Sequence, residues 1–255
     1  MITENFKVKT SDGVELIGVK YIPAKPRGVI YFSHGMSVPK EGPSNTLKDT
    51  AMSLVTAGFK VVAFDFRGHG LSGGVDLDVT IESGLEDLDT IIKEDNESLP
   101  IGLFGFSYGG AISIIYAAKN KLDVKAMALY SPALEFHSIS FNNLNSVIGQ
   151  FYKKAIDNGT FSNLGYIELP NGYKISRKFL ESSKKTVAFD SLSKLNSKIL
   201  IIQAINDQML SYEKVKELGM PFADKYVSLD AVHGLVEKID VAIDETVVWF
   251  STYLK

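Results

Sequence analysis

The chain has 255 residues, 45% of them hydrophobic and 22% charged, with a formal net charge of −3; this is the profile of a folded globular protein and excludes disorder and coiled coil. It contains no cysteine, which excludes disulfides, thiolate nucleophiles and Cys-ligated metals together. Charges of both signs are interleaved with no basic stripe for a phosphate backbone, so no nucleic-acid partner is expected.

The chain opens as a hairpin, with strands at Phe6 to Lys9 and Glu15 to Tyr21 around the turn Ser11-Asp12-Gly13. The start has no basic stretch followed by an apolar run of signal-peptide length, so a cytoplasmic protein is expected. The longest apolar runs, such as Val61 to Phe64, fall far short of the roughly 20 residues a membrane span needs. Gly28 to Phe32 reads as a strand, Thr46 to Ala57 as a helix ending at Gly58, and Lys60 to Phe64 as the next strand. Thr80 to Glu94 places Ile81, Leu85, Leu88 and Ile91 or Ile92 at helical spacing with acids on the other face. Ile101 to Phe106 is strand, Tyr108 to Lys119 helix and Lys125 to Tyr130 strand. The alternation resumes with Lys198 to Ala204 as strand, Ser211 to Leu218 as helix, Lys225 to Leu229 as strand and Asp240 to Leu254 as the closing helix. Short apolar strands separated by amphipathic helices predict an α/β, doubly wound, mostly parallel sheet covered on both faces.

Residues 133–190 break that alternation. An apolar helical stripe runs through Leu144, Val147, Ile148, Phe151, Tyr152 and Ala155. Tyr166 to Ser176 follows as a hairpin with a type I′ signal at Asn171-Gly172, and Ser176 to Ser183 as a second helix. The expected organisation is a core of residues 1–132 and 191–255 with a cap of residues 133–190 over the carboxyl edge of the sheet, where open α/β sheets bind ligands.

Gly105-Phe106-Ser107-Tyr108-Gly109 lies where a predicted strand meets a predicted helix. A serine on such a turn presents its hydroxyl, and glycines flank it because a Cβ there would strike neighbouring backbone. A serine hydroxyl needs an adjacent base that is itself oriented by an acid. Of the four histidines, only His233 follows the last predicted strand, the place for the base in the order serine, acid, histidine. Asp207, just after the run from Ile199, is the expected acid, with Asp224 and Asp230 as competitors. The backbone N–H groups of Tyr108 and Met36 are the candidate donors to a developing oxyanion. His34 and Arg67 read as braces for their loops. No metal-ligand spacing is visible and the chemistry needs no cofactor.

Together these residues resemble the α/β-hydrolase group of monoacylglycerol lipases, lysophospholipases, feruloyl esterases and serine aminopeptidases. The carriers are His34-Gly35, Asp65 to Gly73, Gly105 to Gly109, Asn206-Asp207 and His233-Gly234. The chain departs from the pattern at Ile205, where many relatives have glycine two residues before the acid, and at Met36, where an aromatic or glycine is common. The resemblance implies a serine hydrolase acting on a small-molecule ester, as a monomer or homodimer. The cap resembles the helix-and-hairpin insert of feruloyl-type esterases, which makes Phe151, Tyr152, Tyr166 and Tyr173 candidate substrate contacts. A peptidase would instead need an acid to capture an amino terminus, and Glu135, Glu168 and Glu181 are the candidates for it. Cleavage of a thioester, perhydrolysis and carbon–carbon hydrolysis use the same triad, and a non-catalytic binding protein on this fold is the rival of another class.

Overall fold

The computed structural model describes every residue of 1–255 except Glu97, Lys121 and the side chain of Ile139. The strands, in chain order, are β1 (Ile2–Lys9), β2 (Glu15–Ile22), β3 (Val29–Ser33), β4 (Lys60–Phe64), β5 (Ile101–Phe106), β6 (Val124–Tyr130), β7 (Tyr166–Glu168), β8 (Lys174–Ser176), β9 (Lys198–Ala204) and β10 (Lys225–Leu229). The α-helices are α1 (Thr46–Thr56), α2 (Ile81–Asp95), α3 (Tyr108–Asn120), α4 (Val147–Asp157), α5 (Thr160–Leu164), α6 (Arg177–Lys185), α7 (Phe189–Leu192), α8 (Tyr212–Gly219) and α9 (Ile239–Tyr253). Eight strands form one sheet in the order β1-β2-β4-β3-β5-β6-β9-β10. The strands from β4 across to β10 pair in parallel, whereas β2 is antiparallel to β4 and β1 to β2.

The two-residue period of the buried strands sorts the core into two layers. Val29 and Tyr31 of β3, Leu103 of β5, Met127 and Leu129 of β6 and Ile201 of β9 point to the face covered by α2, α3 and α8. Their neighbours Ile30, Phe32, Phe104, Ala128 and Ile202 point to the face covered by α1 and α9, where Leu47, Leu54, Trp249 and Phe250 meet them. The helix over residues 81–95 forms because its apolar stripe lies on this core, and Thr80 caps it, exchanging hydrogen bonds with Ser83.

The strands at 60–64, 101–106, 198–204 and 225–229 lie as the pattern predicts. β1 runs four residues further toward the N-terminus than expected, pairing Ile2 with Ile22; residues 2–5 are exposed, so no burial pattern announces them. α5 and α7 and a π-helical turn at His137–Phe141 are unexpected elements, each too short to show a period. The hairpin at 166–176 also turns differently from the expected type I′ form. The Gly172 N–H donates to the Leu169 carbonyl at 2.9 Å, so Pro170 and Asn171 are the central residues and only Gly172 takes a positive φ, 82°. Proline fixes φ near −65°, which suits the first central position of an ordinary turn, and the left-handed glycine follows that turn.

The segment between β6 and β9 joins the α2/α3 side of the core through Phe136, Phe141, Ile148, Ile167 and Phe179. No helix among the described residues is long and apolar enough to cross a membrane.

Candidate active site

Ser107 occupies the one-residue turn between β5 and α3 with φ 53°, a left-handed conformation that costs a non-glycine residue on the order of 1–2 kcal/mol. The turn is held rigidly. The Ser107 N–H donates to the Tyr130 carbonyl at 2.9 Å, and the Ser107 carbonyl accepts from the Ala133 N–H at 3.0 Å. The flanking glycines are required by close approach: a Cβ on Gly109 would lie 2.0 Å from the Ser33 carbonyl oxygen, and one on Gly105 would lie 2.6 Å from the Gly110 Cα.

The Ser107 Oγ lies 2.9 Å from His233 Nε2, and His233 Nδ1 lies 2.7 Å from Asp207 Oδ2. The chain of bonds assigns the tautomer: Ser107 donates to Nε2, and Nδ1–H donates to the carboxylate. The Asp207 side chain is fully buried and the His233 side chain 15% exposed. Asp207 is satisfied on both oxygens, with Oδ1 accepting from the Met209 and Leu210 N–H groups and Oδ2 from His233 and from Gln203 Nε2 at 3.0 Å. Gln203 is absent from the site expected from sequence. It is legible as the one polar side chain inside the apolar run of β9, now explained by its bond to Asp207. The two competitors lie elsewhere: Asp230 is exposed and accepts from Asn206, and Asp224 pairs with Lys198 at 2.7 Å.

Met36 follows β3 on a loop that passes against Ser107, since a Cβ on Gly35 would meet the Phe106 ring at 2.7 Å and the Ser107 Cβ at 3.4 Å. Among the described residues, the Met36 N–H and the Tyr108 N–H at the start of α3 make no backbone hydrogen bond outside the regular elements. The Tyr108 side chain points away from the site, buried, with its hydroxyl donating to the Thr80 carbonyl at 2.8 Å.

A cavity of about 240 Å³ opens at Ser107 and His233. Met36, Val38, Pro43 and Phe106 line one side, and Phe136, Phe141, Ile148, Leu169, Ile175, Phe179, Met209 and Leu210 the other. The four aromatic residues expected to touch substrate do not line it. Tyr152 stands behind the wall, its ring edge-on to Phe141 at 5.6 Å and to Phe161 at 5.4 Å. Phe151 lies near Lys154, Tyr166 under the Lys174 ammonium, and Tyr173 against the His69 ring. The physical reason is that the stripe of α4 is wide: Ile148 turns to the cavity, while Phe151 and Tyr152 pack against neighbouring elements. Among the described residues no carboxylate lines the cavity; Glu168 and Glu181 are exposed and Glu135 bonds to Ser138.

Arg67 is a buried brace, as its loop position suggests: its guanidinium meets Asp87 at 2.7 Å, Asp12 at 2.7 Å and Glu86 at 3.0 Å. His34 is also buried. Burial first, and the adjacent His69 second, hold its pKa down at about 3, with Asp65 and Lys40 the charged groups nearby. An unfolded chain takes up a proton on this histidine near pH 6.5, which the native protein refuses until far lower pH, so stability is full above pH 6.5 and falls below it. The contribution at pH 5 is about 2 kcal/mol. The loss of unfolding free energy between pH 7.5 and 5, read from urea melts, is therefore expected to be about 2 kcal/mol smaller in His34→Gln than in the parent; equal losses would show that His34 is not held neutral.

The comparisons with known proteins agree with this architecture. Residues 24–189 match the family model Hydrolase_4, described as serine aminopeptidase, S33. A monoacylglycerol lipase of Mycolicibacterium smegmatis is 32% identical over 130 residues, 49% of this chain and 45% of that protein. The monoglyceride lipase of Homo sapiens is 31% identical over 150 residues, 54% of this chain and 48% of that protein. The chain thus spans about half the length of the curated relatives it matches. Among solved structures, Est1E from Butyrivibrio proteoclasticus with ferulic acid bound superposes with a TM-score of 0.82 at 16% identity, over 97% of this chain and 98% of that one, a likeness of fold. The family match runs from before β3 through the Ser107 turn to the start of α7, well over half of the sequence, and on that ground the chain belongs to the serine aminopeptidase S33 family of α/β hydrolases.

Proposed function

We propose that the protein is a serine hydrolase that cleaves carboxylic esters of uncharged acyl groups through an acyl-enzyme on Ser107. The observation that carries this reading is the hydrogen-bonded series Ser107, His233, Asp207, at 2.9 and 2.7 Å, opening onto an apolar cavity. Ser107 Oγ attacks the ester carbonyl as His233 Nε2 takes its proton, and the Met36 and Tyr108 N–H groups receive the charge on the tetrahedral oxygen. The carbon–oxygen bond to the leaving alcohol then breaks, and the imidazolium returns the proton to that alcohol. Water adds to the acyl-serine by the same route and frees the acid and the serine. Asp207 keeps the imidazole in the tautomer with its proton on Nδ1 and offsets the positive charge it acquires.

Residues 133–190 serve in this reading as a cap, with Phe136, Phe141, Ile148 and Phe179 supplying the acyl wall. Relatives named monoacylglycerol lipase and monoglyceride lipase favour an ester substrate. An aminopeptidase would need a carboxylate at the cavity to hold a substrate ammonium, and none of the described residues supplies one to its lining. Burying each added methylene contributes about 0.8 kcal/mol, roughly fourfold in kcat/KM. Hydrolysis of p-nitrophenyl esters is therefore expected to rise from acetate through longer aliphatic acyl groups until the cavity is filled, with a free carboxylate at the acyl terminus strongly disfavoured. Inactivity across that series and methyl ferulate, together with cleavage of amino-acid amides, would overturn the ester reading.

A further inference from the structure

Two histidines outside the triad lie beside the loop that carries Met36. His34 Nδ1 faces the Gly35 carbonyl at 2.7 Å, and its Nε2 faces the Phe66 N–H at 2.9 Å. His69 repeats the arrangement from the opposite loop: Nδ1 faces the Arg67 carbonyl at 2.9 Å, and Nε2 faces the Ser37 N–H at 3.1 Å. In each ring the nitrogen facing a carbonyl must donate and the nitrogen facing an N–H must accept, so both are neutral imidazoles protonated at Nδ1. Each therefore binds the loop after β3 to the loop after β4. The rings stand edge to face with centroids 5.0 Å apart, and Tyr173 from the hairpin of residues 166–176 covers His69, also at 5.0 Å.

We infer that His34 and His69 are positioning residues for ester cleavage, two reciprocal clamps that hold the residue 35–37 backbone where the Met36 N–H meets the oxyanion. The inference rests on the proposed oxyanion role of Met36. Its physical basis is that a donor stabilises a transition state only when it is held in place before charge develops. The Met36 loop needs such holding, because Ser37 has a left-handed φ of 62° and the Met36 N–H must stay unpaired for substrate. Protonation at either Nε2 would set a donor against a backbone N–H and open the clamp. Burial disfavours that proton at both rings, and the charged or titratable groups around them are Asp65, Lys40, Asp76, Tyr173 and each other. Tyr173 acts through its ring face on His69, which ties the residue 166–176 hairpin to the same loop.

The test compares His69→Leu, His69→Asn and His69→Gln with the parent enzyme on one p-nitrophenyl ester. Glutamine places an acceptor near the position of Nε2 and asparagine, with the same amide, falls short of it. His69→Leu and His69→Asn are expected to lose 10- to 100-fold in kcat with KM within about threefold, since only transition-state stabilisation is removed. His69→Gln is expected to recover most of that loss. A boronic-acid inhibitor that mimics the tetrahedral intermediate should weaken in proportion to the fall in kcat/KM. If His69→Leu fails to fold, the asparagine and glutamine pair decides. An active parent with the asparagine and glutamine variants indistinguishable, or with the loss confined to KM, would overturn the clamp and leave the ester reading intact. A parent without ester hydrolysis would overturn both.

Discussion

Alanine at position 107 is expected to lower kcat for ester hydrolysis on the order of 10⁶-fold, about 8 kcal/mol of transition-state stabilisation. In the proposed mechanism Ser107 and His233 act as one unit, so removing Oγ leaves His233 with nothing to activate and the covalent route closed. What remains is the cavity and the unpaired N–H groups, which still favour attack by water to a small extent. The variant is expected to fold as the parent does. The Ser107 bonds that hold the turn use its backbone N–H and carbonyl, which alanine keeps, and the φ of 53° is as costly for alanine as for serine.

Asparagine in place of Asp207 is expected to cost about 10⁴-fold in kcat, while Asp230→Asn stays within about twofold of the parent. An amide at position 207 can donate to Nδ1 and so favours the tautomer that carries its proton on Nε2, where it cannot accept from Ser107. It also removes the negative charge that offsets the imidazolium. The carboxylate is buried and accepts four hydrogen bonds, from Gln203, Met209, Leu210 and His233, so its geometry is fixed and its loss is not made good by solvent. Asp230 is exposed and bonded to Asn206, outside this set. Steady-state kinetics on the two variants side by side checks the assignment; the reverse pattern would move the acid to Asp230.

Much of the architecture is legible in the sequence because long periodic elements and close backbone approaches leave marks on residue type. Gly105 and Gly109 are glycine because neighbouring backbone leaves no room for a Cβ, and the strand before them is unbroken because both its faces are buried. The order of Ser107, Asp207 and His233 likewise follows from which loops leave the same edge of a parallel sheet. The cavity wall is not legible in this way. Helical spacing reveals that α4 has an apolar side, but whether a residue on it meets a cavity, as Ile148 does, or another ring, as Tyr152 does, depends on elements far away in sequence. Phe136 precedes and Phe141 closes a π-helical turn that no periodicity announces, and the chain turns over Pro170 and Asn171, one residue before the Asn-Gly pair. The partners of His34 and His69 are backbone groups, invisible to any pattern of side chains.

Acid quenching during turnover of a p-nitrophenyl ester, with the acyl group mapped by peptide mass, tests the covalent route most directly. One adduct is expected, on the peptide carrying Ser107, absent from Ser107→Ala, which also loses its hydrolytic activity. An acyl group mapped to another residue, or ester turnover that persists in Ser107→Ala, would contradict it.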